Sequence, residues 1–232
     1  MPDPITPFSS SVFPVGVRRL EAHANPALAL LVGRTGPVTV AHEGARVTGD
    51  ALIVRPGVAH HVAFAARGAD VIYLNGVSFP FAAPLAVEAT GMLGQLAERA
   101  IDRESDAIAE LRARLGFGAL PVPRDIAAIV RAIEAEPMLR MPQAELAQRL
   151  GMERTQAMRT FKAGTGMTFR AFKLWSGLQH AARYMEAGAL VRTAAMDAGF
   201  ADTAHLSRSF RAMFGLSPSA AIAGLAQGRE AY

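Results

Sequence analysis

Between Pro26 and Leu74 the apolar residues come in short runs: Leu28 to Val32, Val38 to Ala41, Ala51 to Val54, Val62 to Ala65 and Val71 to Leu74. Gly, Asn and Pro separate them. Short apolar runs between turn formers read as strands, and at this spacing they predict a small sandwich or barrel. Beyond Pro84 the period changes, with Met92, Leu93, Leu96, Ala100, Ile108, Leu111 and Leu115 near three- and four-residue intervals. That spacing predicts one or two helices with an apolar stripe. The stripe needs cover, either from the barrel or from a second copy of the chain in a two-fold dimer. Gly116 to Pro123 holds two Gly and two Pro and reads as a linker. From Asp125, a candidate N-cap, to about Gly215 the pattern is helical, interrupted by Gly-containing turns. The expected organisation is an all-β domain with following helices over 1–118, a linker over 119–124, and an all-α domain over 125–232.

The helical region repeats itself. Leu146-Ala147-Gln148-Arg149-Leu150-Gly151-Met152 is echoed by Ala194-Ala195-Met196-Asp197-Ala198-Gly199-Phe200, 48 positions on. Phe161-Lys162-Ala163-Gly164-Thr165-Gly166-Met167-Thr168 is echoed by Phe210-Arg211-Ala212-Met213-Phe214-Gly215-Leu216-Ser217, 49 positions on. Each copy places a small residue (Ala147, Ala195) where two helices cross closely, then Gly four residues later (Gly151, Gly199), which can take positive φ without strain. This is helix-turn-helix grammar, with second helices near Arg154 to Ala163 and Thr203 to Met213 free to enter a major groove. Phe161, Trp175, Phe200 and Phe210 fall at helical spacing with other apolar residues and are assigned to the core.

Charge agrees with this division. Residues 1–123 carry 10 Lys and Arg against 11 Asp and Glu, whereas 124–232 carry 14 against 9, so the net +4 resides in the helical half. A basic half is the one suited to phosphate. The 51% hydrophobic content excludes a disordered chain, and no apolar run is long enough for a membrane helix. Met1 to Ser11 lacks the pattern of a signal peptide, so a cytoplasmic location is expected. There is no cysteine, which removes disulfides, thiolate metal sites and cysteine nucleophiles.

The stretch Ala198-Gly199-Phe200-Ala201-Asp202-Thr203-Ala204-His205-Leu206-Ser207-Arg208-Ser209-Phe210-Arg211, followed by Phe214-Gly215-Leu216-Ser217-Pro218, resembles the signature of AraC/XylS-family transcriptional regulators. Gly151-Met152, Arg159, Phe161-Lys162 and Gly166-Met167-Thr168-Phe169 match in the first copy, and Arg170 to Ala187 resembles the family's connecting helix. The chain departs from the pattern at Glu153, where Ser often caps, at Ala157, where Leu is usual, and at Gly177, where Arg is usual. These departures suggest a less rigid first unit. The resemblance implies double-stranded DNA as partner, with RNA polymerase added if the protein activates. It places base-reading positions at Thr155, Met158, Arg159, Thr203, Ala204, His205 and Arg208. Arg159 and Arg208 suit bidentate pairing with guanine. Arg154, Lys162 and Arg211 suit phosphate.

Gly49-Asp50, Pro56-Gly57 and His60-His61 resemble the second half of a cupin motif, as in the family's arabinose-binding type of sensor domain. A metal-binding cupin needs an earlier His-x-His and Glu, and only His42-Glu43 and His23 are on offer, so no metal or other cofactor is expected. A barrel interior lined by Val, Leu, Ile and Phe predicts a small, mostly apolar or aromatic effector, with an anionic end held by His60 or His61 together with Arg55. A cupin-type isomerase or dioxygenase with a helical tail explains Pro56 to His61 but not the duplicated unit, so no enzymatic activity is expected. A repair methyltransferase needs a cysteine acceptor, and a nucleoid-type binder needs no sequence preference.

Overall fold

A computed structural model describes residues 8–65, 68–77, 85–115, 122–136 and 141–229. Among these, nine strands come first: β1 (Ser10–Val15), β2 (Arg19–His23), β3 (Leu28–Gly33), β4 (Val38–His42), β5 (Ala45–Gly49), β6 (Ala51–Val54), β7 (His60–Ala63), β8 (Ala69–Leu74) and β9 (Ala86–Glu88). They form a five-stranded sheet in the order β1-β8-β3-β6-β9 and a four-stranded sheet in the order β2-β7-β4-β5. The five apolar runs of the sequence correspond to β3, β4, β6, β7 and β8. β5 pairs only with β4 and is largely exposed, so it carries no apolar run. β1 is likewise an edge strand, paired with β8, and an edge tolerates Pro14.

Every residue of β8, and all of β3 except Gly33, is buried because both faces of the larger sheet are covered. Outward-facing Leu28, Leu30, Ile53, Ile72 and Leu74 meet Leu96, Ala97, Ala100, Ala107 and Leu111 of α1 (Met92–Ile101) and α2 (Ser105–Leu115). Their alternate neighbours, among them Ala29, Leu31, Val71 and Tyr73, belong to the cluster that fills the interior. The centre of the apolar stripe from Met92 to Leu115 is therefore covered within its own chain. Leu96 is 3% exposed and Leu111 0%, and burying a leucine stabilises by roughly 1.5 to 3 kcal/mol. Met92, at the start of the stripe, is 54% exposed.

Residues 116–121, most of the expected linker, lie outside the described residues. The helical part then runs α3 (Arg124–Ala135), α4 (Gln143–Leu150), α5 (Arg154–Thr165), α6 (Phe169–Glu186), α7 (Val191–Asp197), α8 (Thr203–Phe214) and α9 (Pro218–Arg229). Asp125 is not the N-cap of α3. Pro123 holds that place, and Asp125 sits in the first turn, where a carboxylate is favoured by the helix dipole.

The sheets and the helices share one apolar cluster. Tyr73 lies 5.0 Å from Trp175 and 5.7 Å from Phe214 between ring centroids, and Phe8 packs edge-on to Phe172 at 6.4 Å. A buried polar knot accompanies it. Asn75, just past β8, accepts from Trp175 Nε1 at 2.7 Å and donates toward Gln179 Oε1 at 3.1 Å and Glu134 Oε1 at 3.2 Å. Arg112 of α2 donates to the Asn75 carbonyl at 2.6 Å. Burial pushes the Glu134 carboxyl above its ordinary value.

Strand β2 also closes the far end of α8. The amides of Glu21 and Ala24 donate to the carbonyls of Gly215 (2.8 Å) and Ala212 (3.2 Å), and Asn25 Nδ2 donates to Met213 O. Gly215 is required here twice over: its φ is +73°, and a Cβ would stand 2.6 Å from Glu21 O.

Candidate nucleic-acid interface

The two helical units are built alike. After α4, the Met152 amide donates to Ala147 O and the Gly151 amide to Gln148 O, with Gly151 at φ +61°. After α7, Phe200 donates to Ala195 O and Gly199 to Met196 O, with Gly199 at φ +79°. Both are Schellman turns, which satisfy the last carbonyls of the first helix and reverse the chain into the second. Ala147 and Ala195 are buried at the crossings, as their size requires.

Helices α5 and α8 then start on carboxylate caps. Asp202 Oδ1 accepts from the His205 amide at 2.6 Å, and Glu153 Oε2 accepts from the amides of Thr155 (2.7 Å) and Gln156 (3.3 Å). These backbone bonds hold the Glu153 carboxyl below its ordinary value. Glu153 is thus a working cap, and its departure from Ser does not loosen the first unit. Ala157 and Leu206 occupy the same buried place, one turn before Phe161 and Phe210.

Core packing on one side leaves the opposite side of each second helix in solvent. Arg154, Thr155, Arg159 and Lys162 are exposed on α5, and Thr203, Ala204, His205, Arg208 and Arg211 on α8. Met158 differs. It is half-buried and packs on the core cluster, so its side chain is committed to the interior edge of α5. Arg211 lies 3.8 Å from Glu21 of β2, both of them exposed. Arg159 and Arg208 stand 49 positions apart at the same register relative to their caps and core residues.

The three residues expected at an effector site differ in exposure. His60 is 2% exposed, and its ring lies 4.4 Å from that of His23. His61, its neighbour along β7, is exposed, and Arg55 is half-buried between β6 and β7. Burial, followed by the charge of His60, lowers the His23 imidazole to about 4, and burial also lowers His60. None of the three lines the cavity found between the sheets and the helices. That cavity, about 50 Å³ in volume, is bounded by Phe13, Leu20 and Tyr73 on one side and Met185, Phe210 and Phe214 on the other. Sequence periodicity marks such residues only as core, because a cavity wall and a packed interior have the same pattern. No group of three His, Asp or Glu placed to hold a metal occurs among the described residues, and none of their helices is long and apolar enough to cross a membrane.

A family model described as a helix-turn-helix domain matches residues 146–223. Among curated proteins, no sequence matches this chain. Among solved structures, apo ToxT of a variant from Vibrio cholerae strain SCE256 is similar with a TM-score of 0.60 at 9% identity, over 93% of this chain and 97% of that one. ToxT from Vibrio cholerae O395 is similar with a TM-score of 0.56 at 11% identity, over 94% and 97%. Wild-type ToxT from strain SCE256 with an unsaturated fatty acid bound gives 0.53 at 10%, over 92% and 94%. At these identities the likeness is one of fold, and it extends over both the β-rich and the helical parts. Residues 146–223 thus match a helix-turn-helix domain, and the whole chain, a β-rich domain followed by two helix-turn-helix units, shares the fold of ToxT.

Proposed function

We propose that the protein reads an operator with α5 and α8 in successive major grooves, and that a small apolar molecule in the cavity between the sheets and the helices controls this. The observation that carries the DNA part is the repeated geometry: two identical turns, two carboxylate-capped helices, and an exposed arginine at the same register in each. Arg159 and Arg208 each pair with a guanine, while Arg154, Lys162 and Arg211 meet phosphates. Thr155, Thr203, Ala204 and His205 complete the reading faces, and Met158 supports one of them from below. Selection of bound fragments from random duplex DNA tests this, since a motif with two conserved elements about 10 base pairs apart is expected. Arg159→Ala and Arg208→Ala should each erase one element and weaken binding by ~10- to 100-fold.

The effector assignment is supported by the cavity itself, whose walls carry apolar and aromatic groups from both parts of the chain. A ligand there touches sheet and helix at once, so its affinity differs between docked and separated arrangements, which is the condition for control. The fatty acid bound by ToxT belongs to the same chemical class. Arg55, His60 and His61 are consequently not proposed to hold it. Titration of long-chain fatty acids against operator binding tests the assignment, with Phe13→Ser or Leu20→Ser expected to abolish the response.

A further inference from the structure

His205 lies in the first turn of α8 on its reading face, and its ring does not stand free. It packs on Phe200 at 5.2 Å between centroids and 69° between planes. Phe200 itself is 8% exposed and closes the turn between α7 and α8. Behind Phe200 lies Gly177 of α6, where an added Cβ would meet Ala198 O at 3.1 Å and Phe200 Cε2 at 3.4 Å. The first is tighter than a side chain normally makes, and the second is ordinary van der Waals contact. The absent Cβ is what lets the turn settle onto α6.

We infer that Phe200 is a positioning residue for base recognition: it fixes the plane of the His205 imidazole, and Gly177 fixes Phe200. The backbone of His205 is pinned by Asp202, which leaves the side-chain torsions as the remaining freedom. The aromatic contact removes most of it. Among the described residues no hydrogen bond engages the imidazole nitrogens, and a neutral ring offers one donor and one acceptor. A ring held in one plane aims that pair at a base edge before contact, and preorganisation of this kind raises affinity by reducing the freedom lost on binding. The first unit has Met152 at the place of Phe200, so this device belongs to the second unit only. It also gives the departure at Gly177 a physical reason.

The inference rests on the proposal that His205 reads a base, and the experiment separates the two. Binding of the full chain to its selected operator is measured for His205→Ala, Phe200→Leu, Phe200→Tyr, Gly177→Ala and the double variant His205→Ala with Phe200→Leu. Duplexes changed one base pair at a time across the second half-site, and thermal unfolding, are followed alongside. Phe200→Leu should lose about two- to tenfold in affinity, the worth of an aromatic pair, and only for the preferred base at one position. Phe200→Tyr should retain that preference. In the His205→Ala background the leucine substitution should change nothing further. Gly177→Ala adds a Cβ that would push the turn away from α6, so it should weaken the same base preference. If His205→Ala leaves the preference intact, base reading by His205 fails and the inference falls with it. If His205→Ala abolishes the preference while Phe200→Leu keeps it, or if Phe200→Leu still weakens binding in the absence of the histidine, the positioning role is overturned and the base reading stands.

Discussion

Replacing Asn75 by alanine tests the joint between the two parts of the chain. Its side chain accepts from Trp175 Nε1 and donates within reach of Gln179, Glu134 and Ser9. An amide nitrogen has two hydrogens, so two of those three acceptors are served at any moment. Asn75 is 1% exposed and Trp175 0%. Truncation therefore leaves one buried donor and two acceptors without partners, at about 1 to 3 kcal/mol for each group that water does not reach. With partial rehydration the expected loss is roughly 2 to 5 kcal/mol, a large part of the 5 to 15 kcal/mol typical of a folded domain. Because the apolar cluster runs continuously from sheets to helices, the parent should unfold in urea as a single transition. Trp175 is the one tryptophan of the sequence and reports directly on the joint. Asn75→Ala should shift its emission to longer wavelength and lower the midpoint of unfolding. A midpoint within error of the parent, with unchanged emission, would show that the knot contributes nothing and that the two parts are held by apolar contact alone.

The buried histidines predict a pH dependence. His23 titrates at about 4 in place of 6.5, so the unfolded chain binds the proton more readily. Stability is then complete above 6.5 and drains away as the pH falls toward 4, by up to about 3 kcal/mol for this group. Urea unfolding at pH 7 and pH 5 should differ in that direction, and His23→Asn should flatten the difference. Leu111→Glu places a carboxylate between α2 and the larger sheet and should cost about 4 kcal/mol or more; loss of folded protein with no change in sedimentation of what remains is the expected outcome. A fragment beginning at Val122 should bind duplex DNA with an affinity that falls steeply with salt. It should also bind a hydrophobic dye, since Trp175, Phe210 and Phe214 lose the cover of Tyr73, and a fragment that binds no dye would contradict the shared core.

The helical half was legible in residue order because its signals are local. A turn needing positive φ demands Gly151 and Gly199, a close crossing demands Ala147 and Ala195, and core spacing demands Phe161 and Phe210. The same locality explains why the central strands stand out and the edges do not: β3 and β8 are covered on both faces and read as continuous apolar runs, while β1, β5 and β9 are not. What stayed hidden is made of pairs distant in sequence. Asn75 with Trp175, and Glu21 with Gly215, meet only because the sheets dock on the helices, and no local pattern distinguishes them. His60 and His61 are adjacent, and adjacent residues of a strand leave opposite faces, so only one of them can serve a given pocket, and residue order alone does not say which.

The two helix-turn-helix units are attached unequally, and this bears on control. Helix α8 is closed at its C-terminal end by β2, and α9 meets β1 so closely that a Cβ on Gly16 would stand 2.2 Å from Gly224 O. Phe210, Phe214 and Leu216 also form one wall of the cavity. Helix α5 instead packs on α4 and α6. Under the proposed control, a molecule in the cavity would meet the second unit directly, whereas the cavity wall includes no residue of α4 or α5. Operator binding requires both second helices at a fixed separation, near the ~34 Å of one DNA turn. Displacing one unit against the other is enough to break that match, with neither unit losing its fold. Control by spacing makes a distinctive demand: an effector should weaken binding to the complete operator while leaving binding to an isolated first half-site nearly unchanged. Equal weakening of both would place the control inside the units, and the asymmetry of their attachment would then have no part in it.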